Sequence, residues 1–180
     1  MSGPVIVGID PSLTGTGLAT IHDGTAITTV VATRRLDGHD RLQHILRSVF
    51  AATQYADLVG MEGPSFGSTG SAVHQIAGLW WLIAHGLWER QTPLAIITPS
   101  VAKKYVTGKG TAKKDQVLVS VVRRFPAVNV ADNNAADALV MAAIVADQVG
   151  CPLAPMPAVQ RAVLANVDWP APFRQPAVPA

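Results

Sequence analysis

Three carboxylates stand where an apolar segment gives way to turn residues or to small side chains. Asp10 closes the β-branched run Val5 to Ile9, and Pro11, Gly15 and Gly17 follow it. Glu62, one of only two glutamates, comes directly after the short segment Asp57 to Met61 and before Gly63-Pro64. Asp137 lies within a run of Ala, Leu and Val, three positions after Asn134. A carboxylate at the rim of an apolar core carries a desolvation cost that a cation offsets well. Three of them at one place cannot all ionise in a dry site without a cation. Oxygen-only ligands of this kind suit a hard divalent ion, Mg²⁺ or Mn²⁺. Taken singly, each has a plainer reading. Asp10 can close its strand as an Asx turn, and Glu62 can be a capping or solvated acid. Asp132 suits the N-cap of the following helix better than a metal, and Asn134 fits either role.

A second chemistry is carried by charge. All five lysines (Lys103, Lys104, Lys109, Lys113 and Lys114) fall within twelve residues, and Arg123 and Arg124 follow, although the net charge is only +2. So dense a patch suits a phosphate backbone, and its plainer reading is a solvated face. The histidines His39, His44, His74 and His85 offer no triad, because no Ser or Cys sits in a nucleophile elbow. The lone Cys151 excludes an intramolecular disulfide, and no Cys/His spacing resembles a zinc site.

The elements that must position these groups follow from periodicity. Val5 to Ile9 reads as a strand buried on both faces. Leu18 to His22 and Thr25 to Thr33 read as an antiparallel pair joined at Asp23-Gly24. Asp37 to Thr53 has helical spacing, with Asp37 as N-cap. Asp57 to Met61 is a strand, residues 71–90 a long apolar helix, and Leu94 to Ile97 a fifth strand. Trp80, Trp81 and Trp88 sit on that helix with Ile76, Leu79 and Leu87; core is the favoured reading, a dimer interface the other. Pro99 opens a short helix, and Val117, Leu118, Val121, Val122 and Phe125 form the stripe of another. Residues 132–149 form a last, alanine-rich helix that can pack closely on a sheet.

This order predicts an α/β domain with a five-stranded mixed sheet, an antiparallel meander followed by parallel strands, flanked by helices. The domain covers residues 1–150, and the Pro-rich residues 151–180 read as a partly extended tail. In such a sheet the first and fourth strands can lie side by side, which brings Asp10 and Glu62 to one edge. The longest apolar run, Ile76 to Trp88, is too short to span a bilayer, and the N-terminus lacks a basic leader. A cytoplasmic, nucleoid-associated protein with no membrane partner is expected.

Five motifs, in order, resemble a RuvC-type Holliday junction resolvase over residues 4–149. They are Gly-Ile-Asp-Pro-Ser-Leu-Thr-Gly-Thr-Gly (8–17), Glu62 after its strand, Pro-Ser-Val-Ala-Lys-Lys-Tyr-Val-Thr-Gly-Lys-Gly (99–110), Lys-Lys-Asp-Gln-Val (113–117) and Ala-Ala-Asp-Ala-Leu (135–139). The resemblance implies a ribonuclease-H-like fold and a homodimer that resolves four-way DNA junctions by paired nicks in recombination and repair. It implies a two-ion Mg²⁺ or Mn²⁺ site held by Asp10, Glu62 and Asp137. The position three residues before the last acid, an Asp or His in the family, is Asn134 here. Lys103 and Lys114 match lysines that approach the scissile phosphate, with Lys114 set against charge building on the phosphorane; Lys104, Lys109 and Lys113 add to the DNA-binding patch. Phe66 lies near the place of an aromatic that wedges against bases at the crossover, and packing under its loop is the alternative. A branch-migration motor is a candidate further partner. A relaxed-specificity nuclease for branched DNA or RNA–DNA hybrids, or a non-catalytic junction-binding scaffold, are the rival readings.

Overall fold

A computed structural model describes residues 2–64 and 72–173, so Phe66 lies outside the described residues. Five strands form one sheet: β1 (Ile6–Asp10), β2 (Gly15–His22), β3 (Thr25–Ala32), β4 (Leu58–Glu62) and β5 (Leu94–Ile97). Their spatial order is β3-β2-β1-β4-β5. β1, β2 and β3 make the expected antiparallel meander, while β1, β4 and β5 run parallel. At the hairpin, Asp23 and Gly24 both take positive φ, 47° and 72°, as the tight turn between twisted strands requires.

Six helices complete the described fold: α1 (Gly38–Ala52), α2 (Ala72–Glu89), α3 (Pro99–Thr107), α4 (Lys114–Arg124), α5 (Asn133–Gln148) and the single turn α6 (Ala158–Arg161). One face of the sheet, with Val7, Ile9, Val59 and Met61, packs against Ile45 and Val49 of α1 and Leu79, Trp80 and Ile83 of α2. The other face, with Ile6 and Leu58, belongs to α5 and to α3 and α4 beyond it.

α5 crosses β2, β1 and β4 at close range, and glycine on the strands makes that possible. A Cβ on Gly17 would fall 2.1 Å from the Asn134 carbonyl oxygen, and one on Gly8 2.1 Å from that of Ala138. A Cβ on Gly60 would fall 2.6 Å from Val145 Cγ2. The alanines of the helix and the glycines of the sheet are two halves of one flush contact. The second strand therefore begins at Gly15 rather than at the expected Leu18.

Two expectations about side-chain burial are corrected. Trp80 is buried, but Trp81 and Trp88 are 67% and 72% exposed, so they are not core. At ~100° per residue, Trp81 and Trp88 share a direction about 90° away from Trp80, outside the arc that the sheet covers. Val122 is likewise exposed, one position off the buried stripe of Val117 and Val121. Residues 151–173 do not extend away from the domain. Val163, Leu164, Val167 and Trp169 are buried against it, and Asp168 pairs with Ile96 on the outer edge of β5. No helix among the described residues is long and apolar enough to cross a membrane.

Candidate active site

Asp10 is the last residue of β1, stopped by Pro11, and Glu62 is the last residue of β4. The parallel register of the two strands ends at Ile9↔Met61, which sets Asp10 and Glu62 side by side at one sheet edge. Successive strand residues point to opposite faces, so Asp10 shares the side of Gly8 and Glu62 that of Gly60. Both glycines abut α5. The two carboxylates thus face the helix that carries Asp137, and Asp137 lies one turn inside its N-terminus.

The backbone on either side is tied down. After Asp10, Ser12 N donates to Thr16 Oγ1 at 3.2 Å, and the same hydroxyl donates to Ser12 O at 2.6 Å. Thr16 is fully buried. On β4, the buried Trp80 donates its indole N–H to Glu62 O at 2.8 Å, and Gly63 N donates to Ile97 O at 2.8 Å. Sequence reading missed Thr16 and Trp80 as positioning residues: a Thr within turn chemistry and a Trp within an apolar helix carry no signal for this role.

Burial dominates the electrostatics. Asp10, 8% exposed, has its carboxyl pushed up to about 8, first by desolvation and then by the charges of Glu62 and Asp137, with Lys114 opposing. Glu62 is raised by burial and by Asp137, while a proton shared from Asp10 and the charges of Lys114 and Lys103 pull it back. Asp137 is raised by burial and lowered by Lys114 and Lys103. The three acids form one electrostatic unit, and Lys103 and Lys114 are its cations. Lys114 opens α4 and Lys103 lies on α3, so the two helices deliver them from the same flank. Lys104, Lys109 and Lys113 are exposed, and none is among the charges that act on the acids.

Asp132 is the N-cap of α5, where its side chain accepts from Ala135 N at 2.9 Å. Asn134 sits one turn before Asp137 with its Nδ2 against Gly15, 2.9 Å from where a Cβ there would lie. Its amide is therefore seated over the start of β2.

Among the described residues no three Asp, Glu, His or Cys side chains close around one point tightly enough to hold an ion. The donor set still fits hard cations. It is all carboxylate, it is buried, and Asp10 and Glu62 offset their repulsion by sharing a proton where a cation would serve. A cleft of about 200 Å³, lined by Pro11, Glu62, Pro64, Ile76 and Trp80 among others, opens beside Glu62. Buried acids at a sheet edge, flanked by cations and open to solvent, are equipped for phosphoryl chemistry.

The sequence model of the family described as crossover junction endodeoxyribonuclease RuvC matches residues 6–145. No curated protein matches the chain in sequence. Among solved structures, RuvC from Thermus thermophilus is similar over 85% of this chain and 99% of its own, at 21% identity and a TM-score of 0.63. The same protein in complex with a Holliday junction substrate is similar over 86% and 100%, at 20% identity and a TM-score of 0.65. A Fowlpox virus resolvase, solved with its substrate Holliday junction DNA, is similar over 81% and 98%, at 11% identity and a TM-score of 0.54. At these identities the structural likeness establishes the ribonuclease-H-like fold.

Proposed function

Because this chain belongs to the RuvC family of crossover junction endodeoxyribonucleases, we propose that Asp10, Glu62 and Asp137 are the acids through which it nicks four-way DNA. The observation that supports this is the meeting of the three acids at one sheet edge, each with its carboxyl raised by burial. Nucleases of this family depend on divalent metal. Two Mg²⁺ or Mn²⁺ ions per site would be held by these carboxylates, with Asn134 beside them as a neutral neighbour. When bound, such ions lower the pKa of an attacking water and stabilise the leaving 3′ oxygen.

The chain's own residues do the rest. Asp10 and Glu62 would supply carboxylate oxygens to the ions, with the proton held on Asp10 displaced to solvent. Trp80 holds the Glu62 backbone, and the Ser12–Thr16 turn holds Asp10, so neither acid has to be ordered on substrate binding. Lys114 and Lys103 neutralise charge that builds on the phosphorane. Lys104, Lys109 and Lys113, exposed on the same flank, attract the phosphate backbone of a DNA arm. Phe66 keeps its place in the proposal as the residue that meets bases at the crossover.

Paired nicks require two sites across one junction, which a homodimer supplies. Support for a second copy comes from α2. Trp81, Leu82 and Trp88 are exposed on it, and His85 stacks on Trp88 with ring centroids 5.6 Å apart. Apolar exposure of this extent on one helix is characteristic of an interface. A branch-migration motor and a nucleoid-associated location rest on the family resemblance.

The test is cleavage of a labelled synthetic four-way junction in Mg²⁺ or Mn²⁺, beside linear duplex, with Asp10→Asn as control. Symmetric nicks that fall by at least on the order of 10²-fold in the control are expected. Equal cutting of linear duplex would refute junction selectivity, and tight binding with no nick in either metal would leave the scaffold reading.

A further inference from the structure

Asp147, near the end of α5, has a side chain only 1% exposed. A carboxylate so placed is destabilising unless it is paired and hydrogen-bonded. Its partners come from two directions. Arg161, on α6 in the Pro-rich segment, donates Nε to Oδ1 at 2.8 Å. Tyr105, on α3, donates its hydroxyl to Oδ2 at 3.1 Å and also reaches Ala143 O at 3.3 Å. Tyr105 is itself buried. One buried acid thus joins the last long helix, the segment beyond it and the helix that carries Lys103.

The segment is anchored at several further points. Arg124 Nη1 donates to Pro155 O at 3.0 Å, Gln148 Nε2 to Phe173 O at 3.0 Å, and Ile96 N to Asp168 O at 3.1 Å. Of α3's nine residues, four are buried, so its seat is set by what packs around it. A helix this short has little stability of its own. Lys103 and Tyr105 are two positions apart, about 200° around the helix. Lys103 acts on Glu62 and Asp137 from this helix, so the seat that Tyr105 gives α3 sets where Lys103 stands. Asp147 and Arg161 both fall beyond residue 145, where the family match ends.

We propose that Arg161 is a positioning residue: through Asp147 and Tyr105 it latches residues 151–173 onto α3 and holds Lys103 toward the junction phosphate. The proposal rests on the role of Lys103 given above, and it makes the C-terminal segment a working part of the nuclease. Lys103 then contributes only while the latch is closed, because an uncompensated Asp147 displaces Tyr105 and loosens the helix.

The experiment is a double-mutant cycle on the full chain, read by junction cleavage and by the salt dependence of junction binding without divalent metal. Arg161→Met is expected to lower kcat/KM about tenfold. It should also make the slope of log affinity against log salt shallower by about 0.9, the loss of one phosphate contact. In a Lys103→Ala background Arg161→Met should change neither quantity. Arg161→Lys, and the pair Arg161→Met with Asp147→Asn, should recover to within about twofold, which separates the latch from a general loss of fold. Losses that multiply across the cycle, or a lowered Tm with an unchanged salt slope, would overturn the proposal. If the wild-type chain binds junctions but does not nick them, the catalytic reading fails, and the salt slopes still decide the latch. A Lys103→Ala variant with the wild-type slope overturns it.

Discussion

Asp10→Asn is expected to stabilise the metal-free protein at pH 8 while abolishing its chemistry. Asp10 titrates near 3.8 in an unfolded chain and near 8 in the fold. Between those values the native state keeps a proton that the unfolded chain has released. Asp10's contribution to stability is therefore full below pH 3.8 and is lost progressively as pH rises through about 8. At ~1.4 kcal/mol per pH unit the loss has a ceiling of about 6 kcal/mol. Asparagine has nearly the same volume, carries no charge, and offers an amide N–H to Glu62 in place of the shared proton. The variant still buries Glu62 and Asp137, so a gain of about 2 kcal/mol at pH 8 is expected, or roughly 6 °C in Tm for a chain of this size.

The assay is thermal and denaturant unfolding in chelator at pH 4, 6 and 8, repeated in Mg²⁺. Wild type should lose stability steadily from pH 4 to pH 8, and the variant should show a much flatter profile. Mg²⁺ should restore wild type at pH 8 and leave the variant nearly unmoved, since binding to the native state alone adds stability by mass action. If wild type instead gains stability between pH 4 and pH 8 in chelator, or if Asp10→Asn is the less stable protein at pH 8, Asp10 is not a desolvated acid among like charges.

Gly8→Ala should cost about 3 kcal/mol and abolish nicking, because the added Cβ meets backbone, 2.1 Å from Ala138 O and 2.5 Å from Ala142 N, and must lift α5 with Asp137 off the sheet. Gly78→Ala, where a Cβ meets nothing within 4 Å, is the control and should stabilise α2 slightly in the same urea titration. Trp81→Ser with Trp88→Ser should convert a dimer to a monomer in sedimentation while changing the intrinsic unfolding free energy of the monomer at pH 6 by less than about 1 kcal/mol, since both rings are exposed on one chain.

The strands were legible because their apolar runs are short, β-branched and punctuated by Asp23-Gly24, Gly63-Pro64 and Pro99. The acids were legible only together. Singly, Asp10 can close a strand as an Asx turn and Glu62 can be a capping or solvated acid; the reading came from several segments that can converge on Asp10. What binds them into one unit is the flush seat of α5, and its sequence trace is faint. Gly17 reads as a turn glycine and Gly8 and Gly60 carry no signal by themselves; only the register shows that the three share the α5 face. Trp81 and Trp88 misled for a related reason, since helical spacing reports amphipathicity and cannot say how wide an arc the core will cover. Residues 151–173 misled through their prolines, which suppress periodicity while leaving Val163, Leu164, Val167 and Trp169 free to be buried.

The amide at position 134 follows from the charge balance around it. Asp10, Glu62 and Asp137, with Asp132 at the N-cap beyond Asp137, face two lysines, Lys103 and Lys114, so negative charge is in excess. Burial and that excess together push the carboxyl of Asp10, the most buried of the three, up to about 8. A further carboxylate in place of Asn134, one turn from Asp137, would add to that excess and require another bound proton or a bound cation. The neutral amide of Asn134 avoids that added repulsion in the metal-free protein.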